Sequence, residues 1–173
     1  MSSRYHIIES PLGSLGLVRQ APSPPLRRVY LPLAGEAALL RRIRGDWGAD
    51  IQRAGKRTVA ALEPVIEALA DYWNGTPIEP PYALLDWTGV TDLQRAVLMA
   101  VAAIPFGEVR SYGEIAAAVG RPRSARFVGN TMARNPFPLL IPCHRVVRAD
   151  RSLGGFGGGP EMKRRLIGME TRI

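Results

Sequence analysis

The chain changes character near its middle, and that change constrains its fold more than any other feature. Three short strand-like stretches come first: Tyr5-His6-Ile7-Ile8-Glu9, residues 14–19, and Arg27-Arg28-Val29-Tyr30-Leu31. Ser10-Pro11-Leu12-Gly13 is a turn sequence between the first two, so they predict a hairpin. Pro22, Pro24 and Pro25 mark a loop before the third. From Thr91 onward the apolar residues Leu93, Val97, Val101 and Ile104 recur at helical spacing, forming one face of a helix. The expected fold class is therefore α+β: a small N-terminal antiparallel-sheet domain, then a mostly helical C-terminal domain. A length of 173 residues fits two small domains.

Between these halves, residues 36–43 predict a short helix and residues 46–56 a surface loop. Residues 58–73 show helical spacing in Val59, Leu62, Ile66, Leu69 and Trp73, with Gly75 as the stop. Pro64 inside that pattern either kinks the helix or marks its real start. Residues 82–87 read as a last strand or an extended connection. The expected boundaries are an N-terminal domain over 1–80, a connection over 81–90 and a C-terminal domain over 91–173.

In the second half, Pro105-Phe106-Gly107 ends the first helix. Ser111 with Glu114 forms a capping-box pattern that opens a helix over 112–119, closed by Gly120 and Pro122. A third helix is expected over 124–133, with Asn135-Pro136 stopping it. Two short helices joined by a glycine-containing turn make a helix-turn-helix candidate. Its second helix carries Arg126, flanked by Arg123 and Arg134. Charge supports a polyanionic partner: residues 1–88 hold 10 Lys/Arg against 9 Asp/Glu, whereas residues 89–173 hold 13 against 6. No apolar run is long enough to span a bilayer. Residues 1–6 lack a signal-peptide core, so the expected location is intracellular and cytoplasmic.

The only cysteine, Cys143, stands beside one of two histidines, His144. Ile141-Pro142 precede the pair and Arg145-Val146-Val147 follow it. A thiolate is the nucleophilic form of cysteine, and a neighbouring imidazole can take the proton directly or through a water. A carboxylate orienting that imidazole completes the logic; Glu170, Glu161 and Asp150 are the candidates. The opposing reading is a buried, inert cysteine beside a structural histidine. One cysteine and two histidines predict no metal site. After this stretch, Leu153-Gly154-Gly155-Phe156-Gly157-Gly158-Gly159 allows close backbone approach to a ligand. No Gly-Lys-Ser/Thr follows it, which argues against a phosphate loop. Tyr112 and Phe156 are candidate walls for a flat apolar ligand such as a nucleobase; core packing is their alternative fate. Pro160 opens a last helix whose inner face is expected at Met162, Arg165 or Leu166, and Met169.

Pro142-Cys143-His144-Arg145-Val146 resembles the active-site signature of the O6-alkylguanine-DNA alkyltransferases, the methylated-DNA–protein-cysteine methyltransferases. The stretch from Ile104 through Gly107 and Tyr112 to Ala116 resembles the family's lead into its helix-turn-helix. Ala125-Arg126-Phe127-Val128-Gly129, Asn135-Pro136 and the glycine loop extend the likeness. The resemblance covers residues 91–170 at motif strength. It implies an RNase-H-like sheet in the first domain and direct, single-turnover DNA repair in the second. Base flipping would bring O6-alkylguanine, with O4-alkylthymine as a second candidate, to Cys143. The partner would be double-stranded DNA entered through the minor groove, the protein a monomer, and no cofactor or metal would be needed.

The resemblance also assigns roles. His144 is the base and Glu170 its orienter. Tyr112 acts on the guanine ring nitrogen, and Asn135 holds the turn that positions the cysteine. Arg126 fills the gap in the base stack, with Ala125, Phe127, Gly129 and Tyr112 also at the DNA. Val146, Val147, Phe156, Gly157, Gly158, Lys163 and Met132 form the alkylguanine pocket. Phe127 replaces a residue that is often small, and Phe156 a usual tyrosine. Two other classes remain: a helix-turn-helix protein that binds or senses damaged DNA without chemistry, and a cysteine hydrolase, for which no oxyanion-hole pattern is visible.

Overall fold

The hairpin forms where the turn sequence places it. In this computed structural model, which describes residues 3–20 and 26–171, β1 (Ser3–Ser10) pairs antiparallel with β2 (Gly13–Gln20) along its whole length. The loop expected at Pro22, Pro24 and Pro25 lies outside the described residues. In β1 the buried Tyr5 and Ile7 alternate with the half-exposed His6 and Ile8, the pattern of a strand with one covered face. β3 (Arg28–Leu33) adds antiparallel to β2.

Helix α1 (Glu36–Trp47) covers this sheet through Leu39 and Ile43, which join Tyr5, Ile7, Val18 and Tyr30 in one apolar cluster. Gly16 on β2 allows that approach: a Cβ there would lie 3.0 Å from Ile43 Cδ1 and 3.3 Å from Leu39 Cδ1. The helix runs four residues past the expected end at 43. Tertiary bonds draw it on: Trp47 Nε1 donates to Tyr30 Oη at 2.8 Å, and that hydroxyl donates to Asp46 Oδ2 at 2.8 Å.

The sheet is mixed, which corrects the antiparallel expectation. Within the stretch expected as surface loop lies β4 (Gln52–Arg53), parallel to β1, giving the order β3-β2-β1-β4. Two exposed polar residues carry no apolar alternation, so nothing in the sequence marks them as a strand. The single helix expected over 58–73 is two, α2 (Lys56–Ala60) and α3 (Glu63–Trp73). Pro64 sits in the first turn of α3, where a missing N–H leaves no helical bond unmade. The inner face is accordingly Val65, Leu69 and Tyr72, not Ile66 and Trp73. Residues 82–87 are not a strand. A 3₁₀ turn, Tyr82–Leu84, leads to an extended return in which Leu26 N donates to Leu84 O and Asp86 N to Leu26 O.

The chain forms two compact units that divide between residues 87 and 88. In the second, Thr91 caps α4 (Asp92–Ala102) through a capping box with Gln94. Ser111 and Glu114 form the expected box that opens α5 (Tyr112–Ala118). After a turn containing Gly120 comes α6 (Ala125–Ala133). A 3₁₀ turn, Cys143–Arg145, runs into β6 (Val146–Val147), which lies parallel to β5 (Arg110–Ser111). That pairing ties the chain just before Tyr112 to the chain just after Cys143. The last helix is α7 (Gly159–Glu170). Its buried face is Lys163, Leu166 and Glu170: of the expected positions Leu166, not Arg165, turns inward, and Met162 and Met169 are only half-buried. Two charged residues inside a helix face are unusual, because each needs a partner. Sheet with α1–α3 first and a helical second unit make an α+β fold.

Candidate functional site

Everything in the site depends on how residues 135–147 are held. Asn135, buried just after α6, accepts the Phe137 amide on Oδ1 and donates from Nδ2 to Ile141 O, each at 2.9 Å. Between these two bonds Leu139 is forced to a φ of 73°, a left-handed conformation that costs a branched residue on the order of 1–3 kcal/mol. The chain so reversed delivers Cys143 into a 3₁₀ turn, closed by Arg145 N donating to Pro142 O at 2.8 Å.

Cys143 is buried, and burial pushes its thiol up. A hydrogen bond with Asn135 and the Lys163 ammonium oppose that rise without cancelling it. The resting sulfur is therefore a thiol in need of a base. His144 is completely buried, and burial lowers its pKa more than Glu170 raises it, so the imidazole is neutral near pH 7. Its Nε2 lies 2.6 Å from Glu170 Oε1. Of the three carboxylates the sequence offered, Glu170 is the one in contact with His144. Glu161 is exposed and pairs with Arg164, while Asp150 is exposed and bonds Ser152.

Glu170 is held by more than the histidine. Arg145 Nε donates to Oε2 at 2.9 Å and Nη2 to Oε1 at 3.1 Å. The Gly107 amide donates to Oε2 at 3.2 Å. Burial raises the carboxyl, but the bonds and charges of His144 and Arg145 outweigh it and bring the group to about 2. Arg145 is itself buried, and its Nη1 donates to Ile104 O at 2.6 Å. Arg145 and Gly107 were not among the sequence candidates. The available signal was a charged residue inside the apolar run 139–147, which burial obliges to be paired.

A cavity of about 270 Å³ opens at the sulfur, lined by Tyr112, Gly129, Met132, Cys143, Phe156 and Gly157 together with Ala133 and Gly155. That is at the small end of ligand sites, the scale of one flat ring system. Of the residues the sequence suggested for this pocket, Met132, Phe156 and Gly157 reach its surface. Val146 and Val147 lie buried in β6. Lys163 is fully buried, its Nζ donating to Val146 O at 2.5 Å and Gly155 O at 3.3 Å, so it fastens the glycine loop to the active-site turn. Burial lowers this ammonium to about 8. Gly158 packs against Met162 and Phe156, where a Cβ would lie 2.4 Å and 3.1 Å from their nearest atoms. The Phe156 ring meets the His144 ring edge-on at 6.5 Å.

Tyr112 stands at the start of α5, half-buried, with its hydroxyl raised mainly by burial. On α6, Ala125, Arg126 and Asn130 are exposed and Phe127 half-buried; Thr131 is buried and donates to Phe127 O at 2.9 Å. Arg121, Arg123, Arg134, Arg148 and Arg151 are exposed in the same unit. Among the described residues no group of three or more His, Cys, Asp or Glu side chains is placed to hold a metal ion, and no helix is long and apolar enough to cross a membrane.

Residues 92–172 match the family described as 6-O-methylguanine DNA methyltransferase, DNA binding domain. Across 97% of this chain and 92% of the relative, the sequence is 35% identical to a methylated-DNA–protein-cysteine methyltransferase of Mycolicibacterium paratuberculosis. The chain belongs to the methylated-DNA–protein-cysteine methyltransferase family. A Methanothermobacter thermautotrophicus member is 42% identical over 111 residues, which are 64% of this chain and 61% of that relative. The crystal structure of Mycobacterium tuberculosis OGT in complex with DNA superposes with a TM-score of 0.75 at 32% identity, over 97% of this chain and 92% of that one. As a member of this family, the chain presents its lone thiol, its histidine–glutamate pair and its base-sized cavity at one place.

Proposed function

We propose that this protein repairs DNA directly, taking an alkyl group from O6 of guanine onto Sγ of Cys143. The observation that carries the reading is the buried thiol on the wall of a base-sized cavity, next in sequence to an imidazole locked onto a buried carboxylate. Family membership and the DNA complex of a relative support DNA as the partner. A base inside a duplex cannot reach a buried sulfur, so the damaged nucleotide must be flipped out of the stack.

His144 takes the thiol proton, directly or through one water. The thiolate then attacks the alkyl carbon in line with its bond to O6. The S–C bond forms as the C–O6 bond breaks, and the electron pair passes into the guanine ring. Tyr112 supplies a hydrogen bond or a proton to a ring nitrogen as that charge develops. Asn135 and Lys163 favour the thiolate. The product is a thioether, which is a poor leaving group, so each molecule acts once. O4-alkylthymine is a second candidate substrate.

Residues 91–173, within the second compact unit, carry this work, and the N-terminal unit runs on through residue 87. Helix α6 enters the minor groove as a monomer's recognition helix. Arg126 fills the vacated stack, and Ala125, Phe127 and Gly129 lie along the duplex. The lining of the base pocket comprises Met132, Phe156 and Gly157, with Val146, Val147, Gly158 and Lys163 shaping it from behind.

Intact-protein mass spectrometry after incubation with an oligonucleotide containing O6-methylguanine tests this, with Cys143→Ala alongside. The expected result is a gain on the order of 14 Da, one CH2 replacing hydrogen at sulfur, absent in the variant. Tight binding of the damaged duplex with no mass gain would instead identify a damage sensor.

A further inference from the structure

Two pieces of chain bear the reacting groups. The stretch 104–107 leads through β5 to Tyr112, and the turn Cys143–Arg145 leads through β6 away from the nucleophile. Their pairing spans only two residues on each side, Arg110–Ser111 against Val146–Val147, so it joins the two pieces at one point and leaves the turns themselves to be braced by other contacts. Arg145 makes bonds to both sides. Its Nη1 donates to Ile104 O, its guanidinium lies 5.5 Å from the centroid of the Phe106 ring, and its Nε and Nη2 grip the Glu170 carboxylate. Glu170 in turn accepts the Gly107 amide.

The same bonds settle which nitrogen of His144 carries hydrogen. A guanidinium and an amide only donate, and an ionised carboxylate only accepts. With Glu170 held ionised by Arg145 and Gly107, His144 Nε2 must be the N–H that faces Oε1. The neutral ring then has its lone pair on Nδ1, the nitrogen left to act as base.

We propose that Arg145 is a positioning residue for alkyl transfer: it keeps Glu170 ionised and oriented so that His144 presents Nδ1 as the base, and it registers that pair against the turn leading to Tyr112. This rests on the alkyl-transfer reading above. It differs from the role expected of Arg126, which acts on the base stack alone. Loss of Arg145 should therefore slow reaction with free O6-benzylguanine as much as reaction in duplex DNA.

The single-turnover rate with free O6-benzylguanine, measured from pH 5 to 9, tests the proposal in wild type, Arg145→Lys, Arg145→Met, Glu170→Gln and the double variant Arg145→Met/Glu170→Gln. The charged groups that bear on the carboxylate are His144 and Arg145, with Lys163 acting further off on His144. Removing the arginine charge raises both the carboxyl and the imidazole. The Met variant should therefore lose rate on the order of 100-fold, with its acid limb displaced to higher pH. The Lys variant should recover most of the rate and move the limb back. A folded Met variant with wild-type rate, or with a rate lowered equally at every pH, overturns the proposal. A buried carboxylate stripped of its arginine can prevent folding; the double variant, which removes both charges, covers that case. With the carboxylate route already lost in Glu170→Gln, adding Arg145→Met removes only the contacts to Ile104 and Phe106 and should cost clearly less rate than Glu170→Gln itself costs; a further loss as large or larger overturns the idea. Wild type that takes up no benzyl group defeats the alkyl-transfer reading instead, a result distinguishable from all of these.

Discussion

His144 Nε2 and Glu170 Oε1 lie 2.6 Å apart, although 26 residues separate them in the chain. Both side chains are buried, so each depends on the other for the bonds that water would supply. The helix α7 that carries Glu170 also carries Lys163 on the same face, two turns earlier. One helix thus fixes the imidazole at one end and the glycine loop at the other.

This pairing sets how stability responds to acid. Glu170 is depressed from an ordinary 4.5 to about 2, so its contribution is complete above 4.5 and is lost as pH falls toward 2. His144 is buried neutral, with its pKa below 6.5; the unfolded chain gains a proton first, so stability declines as pH falls below 6.5. Both effects run the same way. The urea midpoint of wild type should fall continuously below pH 6.5, and Glu170→Gln should flatten the part between 4.5 and 2. A variant whose acid slope in that range equals the wild-type slope contradicts the assignment.

Arg126 is exposed in the first turn of α6 and does not line the cavity at Cys143. Replacing it with alanine should weaken repair of O6-methylguanine in duplex DNA while leaving reaction with free O6-benzylguanine close to wild type. The two rate constants, measured side by side, decide the matter, and equal losses on both substrates sink the role in the base stack.

Asn135→Ala removes both bonds that bracket the left-handed Leu139. Two buried backbone groups lose their partners, at about 1–3 kcal/mol for each. The thiol also loses a hydrogen bond that opposes its rise. Thermal unfolding should move to lower temperature, and the pH at which alkyl transfer reaches half its maximum should move up. An unchanged pH midpoint would confine Asn135 to a structural role.

Much of this was readable in the sequence where a local rule governs. The hairpin, the Ser111–Glu114 cap and the start of α4 at Thr91 each follow from a few adjacent residues. What escaped depends on contacts distant in sequence. β4 exists because Gln52 and Arg53 find the edge of β1, and α1 lengthens because Asp46 and Trp47 find Tyr30. The break between α2 and α3 was left open by Pro64 and decided by packing of Val65, Leu69 and Tyr72. In the site, adjacency exposed Cys143 and His144, but chemistry alone left three carboxylates for the orienter. Arg145 went unremarked because its partners, Ile104 and Glu170, lie 41 and 25 residues away.

Gly154 offers a test of how tightly the aromatic wall is set. Its φ is 69°, and a Cβ there would lie 3.1 Å from Tyr112 Oη, 3.3 Å from Tyr112 Cε2 and 3.5 Å from Arg148 Cγ. Alanine at this position is strained twice. The left-handed backbone disfavours it by on the order of 1 kcal/mol, and the methyl crowds the hydroxyl. Relief can come by tilting the Tyr112 ring, which displaces the group that is to act on the guanine ring nitrogen. Gly154→Ala should thus lower the rate constant of alkyl transfer more than it lowers affinity for the damaged duplex. Stopped-flow transfer rates and equilibrium binding to the same oligonucleotide, measured on the variant, separate the two. A loss confined to affinity would place Tyr112 at the DNA backbone and not at the reacting base.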